Sequence, residues 1–160
     1  MNFLEQLVSE WYEFQGYFVR RNVSVGVLPG GGYEGELDVV ALHPGEKRLL
    51  HIEPSMDAYS WEEREKRFAN KFAIGQKYIP TLFTGFPVLP TIEPIALIGF
   101  GTAPGRSTLG GGKLIMIGTL MEEIRTDLKN RNIHRAAVPE QYLILRTLQF
   151  AAHYWRGAAC

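Results

Sequence analysis

Two short segments carry acidic residues where a strand is otherwise apolar. In Gly35-Glu36-Leu37-Asp38-Val39-Val40-Ala41, strand alternation puts Glu36 and Asp38 on one face and Leu37 and Val39 on the other. In Leu49-Leu50-His51-Ile52-Glu53 the same rule puts His51 and Glu53 on one face. A carboxylate at the end of an apolar strand is costly to bury unless a cation or hydrogen bonds compensate it. Two such carboxylates on adjacent strands can share one hard divalent ion, Mg²⁺ or Mn²⁺, which prefers oxygen ligands. The ordinary alternative is a pair of strand-end carboxylates matched by surface arginines. His51 is accessory, either a ligand or proton carrier or a hydrogen-bonded structural histidine. Glu36 is accessory too, supporting the site or simply solvated.

The elements that must hold these residues can be read from the periodicity. Phe3, Leu4, Leu7, Val8, Trp11 and Phe14 have helical spacing over residues 2–15, and Gly16 follows as a C-cap. Residues 17–27 alternate around β-branched positions and read as a strand. Strands at 35–42 and 49–53 follow, joined by a hairpin at His43-Pro44-Gly45-Glu46-Lys47. Ser60-Trp61-Glu62-Glu63 has the capping-box pattern and starts a helix over about 61–74. Residues 79–94 contain four prolines and read as a loop. The apolar runs 95–100 and 113–117 predict buried strands. Helices are expected over 119–131 and from Pro139, at a first-turn position, to about Trp155. The result is an α/β chain with a mixed central sheet flanked by helices. We expect one domain over 1–160, with a core at about 2–118 and C-terminal helices at about 119–156.

This arrangement resembles the PD-(D/E)XK nuclease superfamily, especially its Mrr-like and Holliday-junction-resolvase-like branches. The resemblance covers roughly residues 3–75 and, more loosely, the strand at 95–100. It rests on the helix ending in Gly16-Tyr17-Phe18-Val19, on Leu37-Asp38-Val39-Val40, and on Glu53, which follows Asp38 by fifteen positions. It implies a restriction-endonuclease-like αβββαβ core with Asp38 and Glu53 as metal ligands and catalytic residues. It also implies a glutamate from the first helix, Glu5 or alternatively Glu10, and a shell completed by the Pro54 carbonyl. Where the family has Glu-x-Lys, this chain reads Glu53-Pro54-Ser55. Ser55 can hydrogen-bond water but carries no charge. Some family members move the basic residue to the next helix, which nominates Lys71 for that role and Arg64 for a phosphate contact. The implied activity is Mg²⁺- or Mn²⁺-dependent hydrolysis of DNA. The altered motif leaves open a degenerate member that binds nucleic acid or a protein partner without cutting.

Composition is compatible with either reading. The 160 residues are 46% hydrophobic, enough for one core, and no apolar stretch is long enough to span a membrane. The 17 basic and 17 acidic residues cancel, so nucleic-acid binding would have to be local. Arg20 and Arg21 on the first strand are candidate DNA contacts, and Arg125, Lys129, Arg131, His134 and Arg135 form a further basic cluster. The glycine clusters 30–32 and 110–112 have neither phosphate-loop spacing nor context. The first residues lack a secretory pattern, and the single cysteine, Cys160, permits neither a disulfide framework nor a cysteine zinc site, so a cytoplasmic protein is expected. The aromatic-rich last helix is a core element or a homodimer face.

Overall fold

The computed structural model describes residues 2–155; Met1 and residues 156–160, including Cys160, lie outside the described residues. The chain forms a six-stranded mixed sheet between helices, with strands in the order β1-β2-β3-β4-β6-β5. Helix α1 (Phe3–Phe14) precedes an antiparallel meander of β1 (Phe18–Val27), β2 (Tyr33–His43) and β3 (Arg48–Ser55). Helix α2 (Trp61–Tyr78) and a 3-10 turn (Ile79–Phe83) then cross to β4 (Ile92–Ile98), which runs parallel to β3. The short β5 (Thr108–Leu109) leads into β6 (Gly112–Met116), parallel to β4, and α3 (Ile117–Asn130) and α4 (Leu143–Tyr154) complete the fold.

Both sheet faces are covered. On one, α1 lays Leu4, Leu7, Val8 and Trp11 against Val39, Ala41, Leu50 and Ile52, joined by Leu120, Ile124 and Leu128 of α3 and Leu145 of α4. On the other, Phe68 and Phe72 of α2 pack on Ala96, Ile98 and Leu114, and Ile79 packs on Val40, Leu42 and Leu49. Gly16, with φ 92, follows α1 as the spacing predicts. Helix α1 begins in a capping box between Asn2 and Glu5.

Three local expectations are corrected. Helix α4 begins at Leu143, not at Pro139. Pro139 instead accepts a turn hydrogen bond from the Tyr142 N–H, and Glu10 of α1 caps the helix from a distance. Strand β4 starts earlier than expected, at Ile92, and contains Pro94, which is tolerated because pairing with β6 begins only at Ile95. Alternation in β2 also breaks next to Asp38: Leu37 packs with Val40 and Leu42, while Val39 and Ala41 face α1. Across the strand at this level lies Asn22, between the pairs Arg21–Val39 and Val23–Leu37, with a left-handed φ of 49. Among the described residues, no helix is long and apolar enough to cross a membrane.

Candidate active site

The pairing of β2 with β3 runs as far as Val39–Ile52, and the next residues along are Asp38 and Glu53. There a side chain takes over from the ladder, as the Asp38 N–H donates to Glu53 Oε1 at 3.3 Å. Pro54 follows Glu53 and has no N–H to offer. His51 Nε2 lies 2.7 Å from the same Glu53 oxygen. With Glu53 ionised, that nitrogen is the donor. Glu53 is 0% exposed, His51 1% and Asp38 8%.

Helix α2 supplies the third group. Phe68 and Phe72 anchor it to the sheet, and Lys71 between them reaches back to the strands. Its Nζ lies 2.9 Å from Asp38 Oδ2 and also contacts Glu53 Oε2. The helix comes close to the sheet at Gly75, where a Cβ would fall 2.1 Å from His51 Nδ1. His51 also meets the Phe72 ring edge-on at 5.4 Å. His51 is therefore clamped, and Glu53 is held by the groups around it.

Two buried carboxylates face one ammonium, and the titration behaviour follows from that excess of negative charge. Burial, followed by the neighbouring Glu53, raises the Asp38 carboxyl to about 7, against the opposing pull of Lys71. Burial also pushes Glu53 upward, but hydrogen bonds to His51 and Asp38 and the charge of Lys71 outweigh it and hold Glu53 low. Lys71 is held above its usual range: burial lowers it, and the charges of Glu53 and Asp38 more than offset that. Oxygen-only donors with surplus negative charge are the right chemistry for a hard divalent cation. Among the described residues, no three His, Cys, Asp or Glu side chains gather as a metal-holding group.

The other residues read from the sequence lie in varied places. Glu5 accepts hydrogen bonds from the Asn2 N–H and from Asn22 Nδ2, each at 3.0 Å. Through Asn22 it adjoins the strand level of Asp38. Glu10 accepts the N–H groups of Ile144 and Leu145 at 2.9 and 3.0 Å, which satisfies the free donors of α4. Glu36 is exposed, as are Arg20 and Arg21, and Arg21 lies 3.9 Å from Glu13. Ser55 donates to Asp57. Arg64 is turned inward and 3% exposed: its Nε donates to Asp57 Oδ1 at 3.0 Å and its Nη2 to the Phe100 carbonyl at 3.1 Å. It ties two loops together. Asn22 and Asp57 were not singled out from the sequence. The signal for Asn22 was an asparagine, disfavoured in strands, among β-branched neighbours.

Two cavities lie away from the carboxylates. One, about 320 Å³, is lined by Trp11, Tyr12, Tyr17, Arg48, Glu93 and Lys113 among others, with an Arg48–Glu93 ion pair at 2.7 Å. The second, about 510 Å³, lies between α3 and α4 beside the exposed Trp155.

No family model matches the chain, and no curated protein matches it. One solved structure that is similar, described as a protein of unknown function, AF1548, has a TM-score of 0.46 and 15% identity. The match covers 92% of this chain and 95% of that one. At that score the likeness supports no argument about fold or function.

Proposed function

We propose that this protein is a divalent-cation-dependent phosphodiesterase acting on DNA, with the restriction-endonuclease-like core that its sequence resembles. The observation that carries the reading is the meeting of Asp38, Glu53 and Lys71 from three separate elements. Lys71 provides, from α2, the positive charge that Ser55 lacks at the end of β3. Asp38 and Glu53 are the residues that would hold Mg²⁺ or Mn²⁺. When bound, the cation polarises the scissile phosphate and eases deprotonation of the attacking water.

The chain's own groups have distinct parts. Hydrogen bonds from His51 and the Asp38 backbone fix Glu53 Oε1, leaving Oε2 towards Lys71. Asp38, raised to about 7 by burial and Glu53, would have to give up its proton to ligate a cation. The Lys71 side chain is 36% exposed, so its ammonium can reach a phosphate while still touching both carboxylates.

One observation favours a second reading, a nuclease-like fold that binds without cutting. Lys71 already contacts both carboxylates, so the cluster is partly neutralised without a cation. Cleavage of supercoiled and branched DNA with Mg²⁺ or Mn²⁺ separates the two. The phosphodiesterase reading requires cleavage by the wild type that is lost in Asp38→Asn and in Glu53→Gln. Cleavage that survives both substitutions overturns it, and a wild type that binds DNA without cutting it establishes the second reading.

A further inference from the structure

Beside the carboxylates, the ends of the parallel strands β3 and β4 open into two loops, 56–60 and 99–107. The carboxyl ends of parallel strands are where open α/β sheets bind their ligands. Arg64 fastens the loops to each other through Asp57 and the Phe100 carbonyl. The fastened edge presents aromatic faces topped by guanidinium groups. Tyr59 is 48% exposed, and the Arg67 guanidinium lies over its ring at 4.4 Å. Trp61, half-buried against the α2 core, carries Arg106 over its ring at 5.0 Å. Arg67 and Arg106 are themselves exposed, and Arg67 lies four residues before Lys71 on α2, on the same side of the helix. Of the acids on this stretch of α2, Glu62 is paired to Lys66 and Glu65 accepts from the Gly110 N–H.

We infer that Tyr59, Trp61, Arg67 and Arg106 form a track for an unpaired DNA strand leading to the carboxylates. This inference rests on the phosphodiesterase reading for the identity of the polymer. Exposed aromatic faces stack on bases only where those bases are unpaired, and a duplex keeps its bases inside. The Arg67 and Arg106 guanidinium groups are displaced from Tyr59 and Trp61 by an incoming base and turn to its flanking phosphates, while Arg64, also over the Trp61 ring at 4.8 Å, stays fastened to the loops. The substrate class is therefore DNA with a single-stranded segment at the site, such as a flap, gap or junction, and not a continuous duplex.

The test is fluorescence anisotropy of the full chain in EDTA with labelled single-stranded, flapped and fully duplex oligonucleotides of equal length. We expect the single-stranded and flapped forms to bind more tightly than the duplex. Tyr59→Ala should weaken their binding at least about fivefold, the lower end for one base–aromatic stack. Arg67→Ala and Arg106→Ala should each reduce the slope of log affinity against log salt by about 0.7, one phosphate contact on a single strand. Circular dichroism checks that each variant is folded, and Lys47→Gln, in the exposed turn between β2 and β3, should bind like the wild type. Equal affinity for duplex and single strand, or folded Tyr59, Arg67 and Arg106 variants that all bind like the wild type, overturns the track. Parallel cleavage assays of the wild type with Mg²⁺ keep the two proposals apart. Cleavage with no effect of the track variants removes the track alone. Track-dependent binding without cleavage removes the phosphodiesterase reading alone and supports the track as a binding surface.

Discussion

Asp38→Asn should make the protein more stable at pH 8 and change it little at pH 4. The Asp38 carboxyl rises from 3.8 in a model compound to about 7 in the fold, mainly because it is buried and secondly because it faces Glu53. Between those values the folded protein binds more protons than the unfolded chain, so wild-type stability falls as pH rises through that window. Below it both states are protonated, and the site contributes nothing. Three pH units at 1.36 kcal/mol each set a ceiling of about 4 kcal/mol. Relaxation of the fold around the charged Asp38 recovers part of that ceiling, and a difference of about 1–3 kcal/mol between the two proteins is expected. Asparagine keeps the shape and takes no charge. The depressed Glu53 acts at lower pH, where stability is lost as pH falls through its folded value, and it is present in both proteins. The assay is urea unfolding of wild type and Asp38→Asn from pH 4 to pH 8, reading the difference at each pH. The two stability curves should separate as pH rises from about 4 to 7 and run parallel above that. Parallel curves across the whole range would refute the idea that Asp38 is forced to hold its proton by burial beside Glu53.

Three further outcomes follow from the same geometry. Lys71→Met should move the Asp38 titration still higher, because Lys71 is what lowers it, and should cost about 1–3 kcal/mol once partial exposure is allowed for; nuclear magnetic resonance of the Asp38 carboxyl carbon and urea unfolding report the two effects. Gly75→Ala should destabilise by about 1–3 kcal/mol through overpacking and displace His51, since the new Cβ would lie 2.1 Å from its ring; a lower Tm together with a shifted His51 resonance checks this. Arg64→Ala should cost about 3–5 kcal/mol by leaving Asp57 half-buried without its partner, read as a lower urea midpoint with protease sensitivity at the 56–60 and 99–107 loops.

Several features were legible in the sequence because they are local. The helical spacing of Leu4, Leu7, Val8 and Trp11, the serine cap at Ser60 and the apolar runs of β2, β3 and β4 each act over a few residues. Asp38 and Glu53 could be put on neighbouring strands because a hairpin of known length joins them, and Lys71 was reachable from the spacing along α2. What was missed depends on distant partners. The start of α4 is set by Glu10, 134 and 135 residues away from the N–H groups it accepts. Arg64 reads from the resemblance as a phosphate contact, yet its guanidinium is buried against a carbonyl 36 residues further along. The break in alternation at Leu37 coincides with the left-handed Asn22 on the neighbouring strand, and a backbone angle leaves no direct mark in composition. β5, at two residues, is too short to show a period.

Whether Asp38 and Glu53 hold a hard divalent cation for phosphodiester chemistry is decided by isothermal titration of Mn²⁺ into wild type and Asp38→Ala, with and without DNA. Binding by the wild type that Asp38→Ala abolishes is expected. No binding by the wild type under either condition, or equal binding by both proteins, would contradict it.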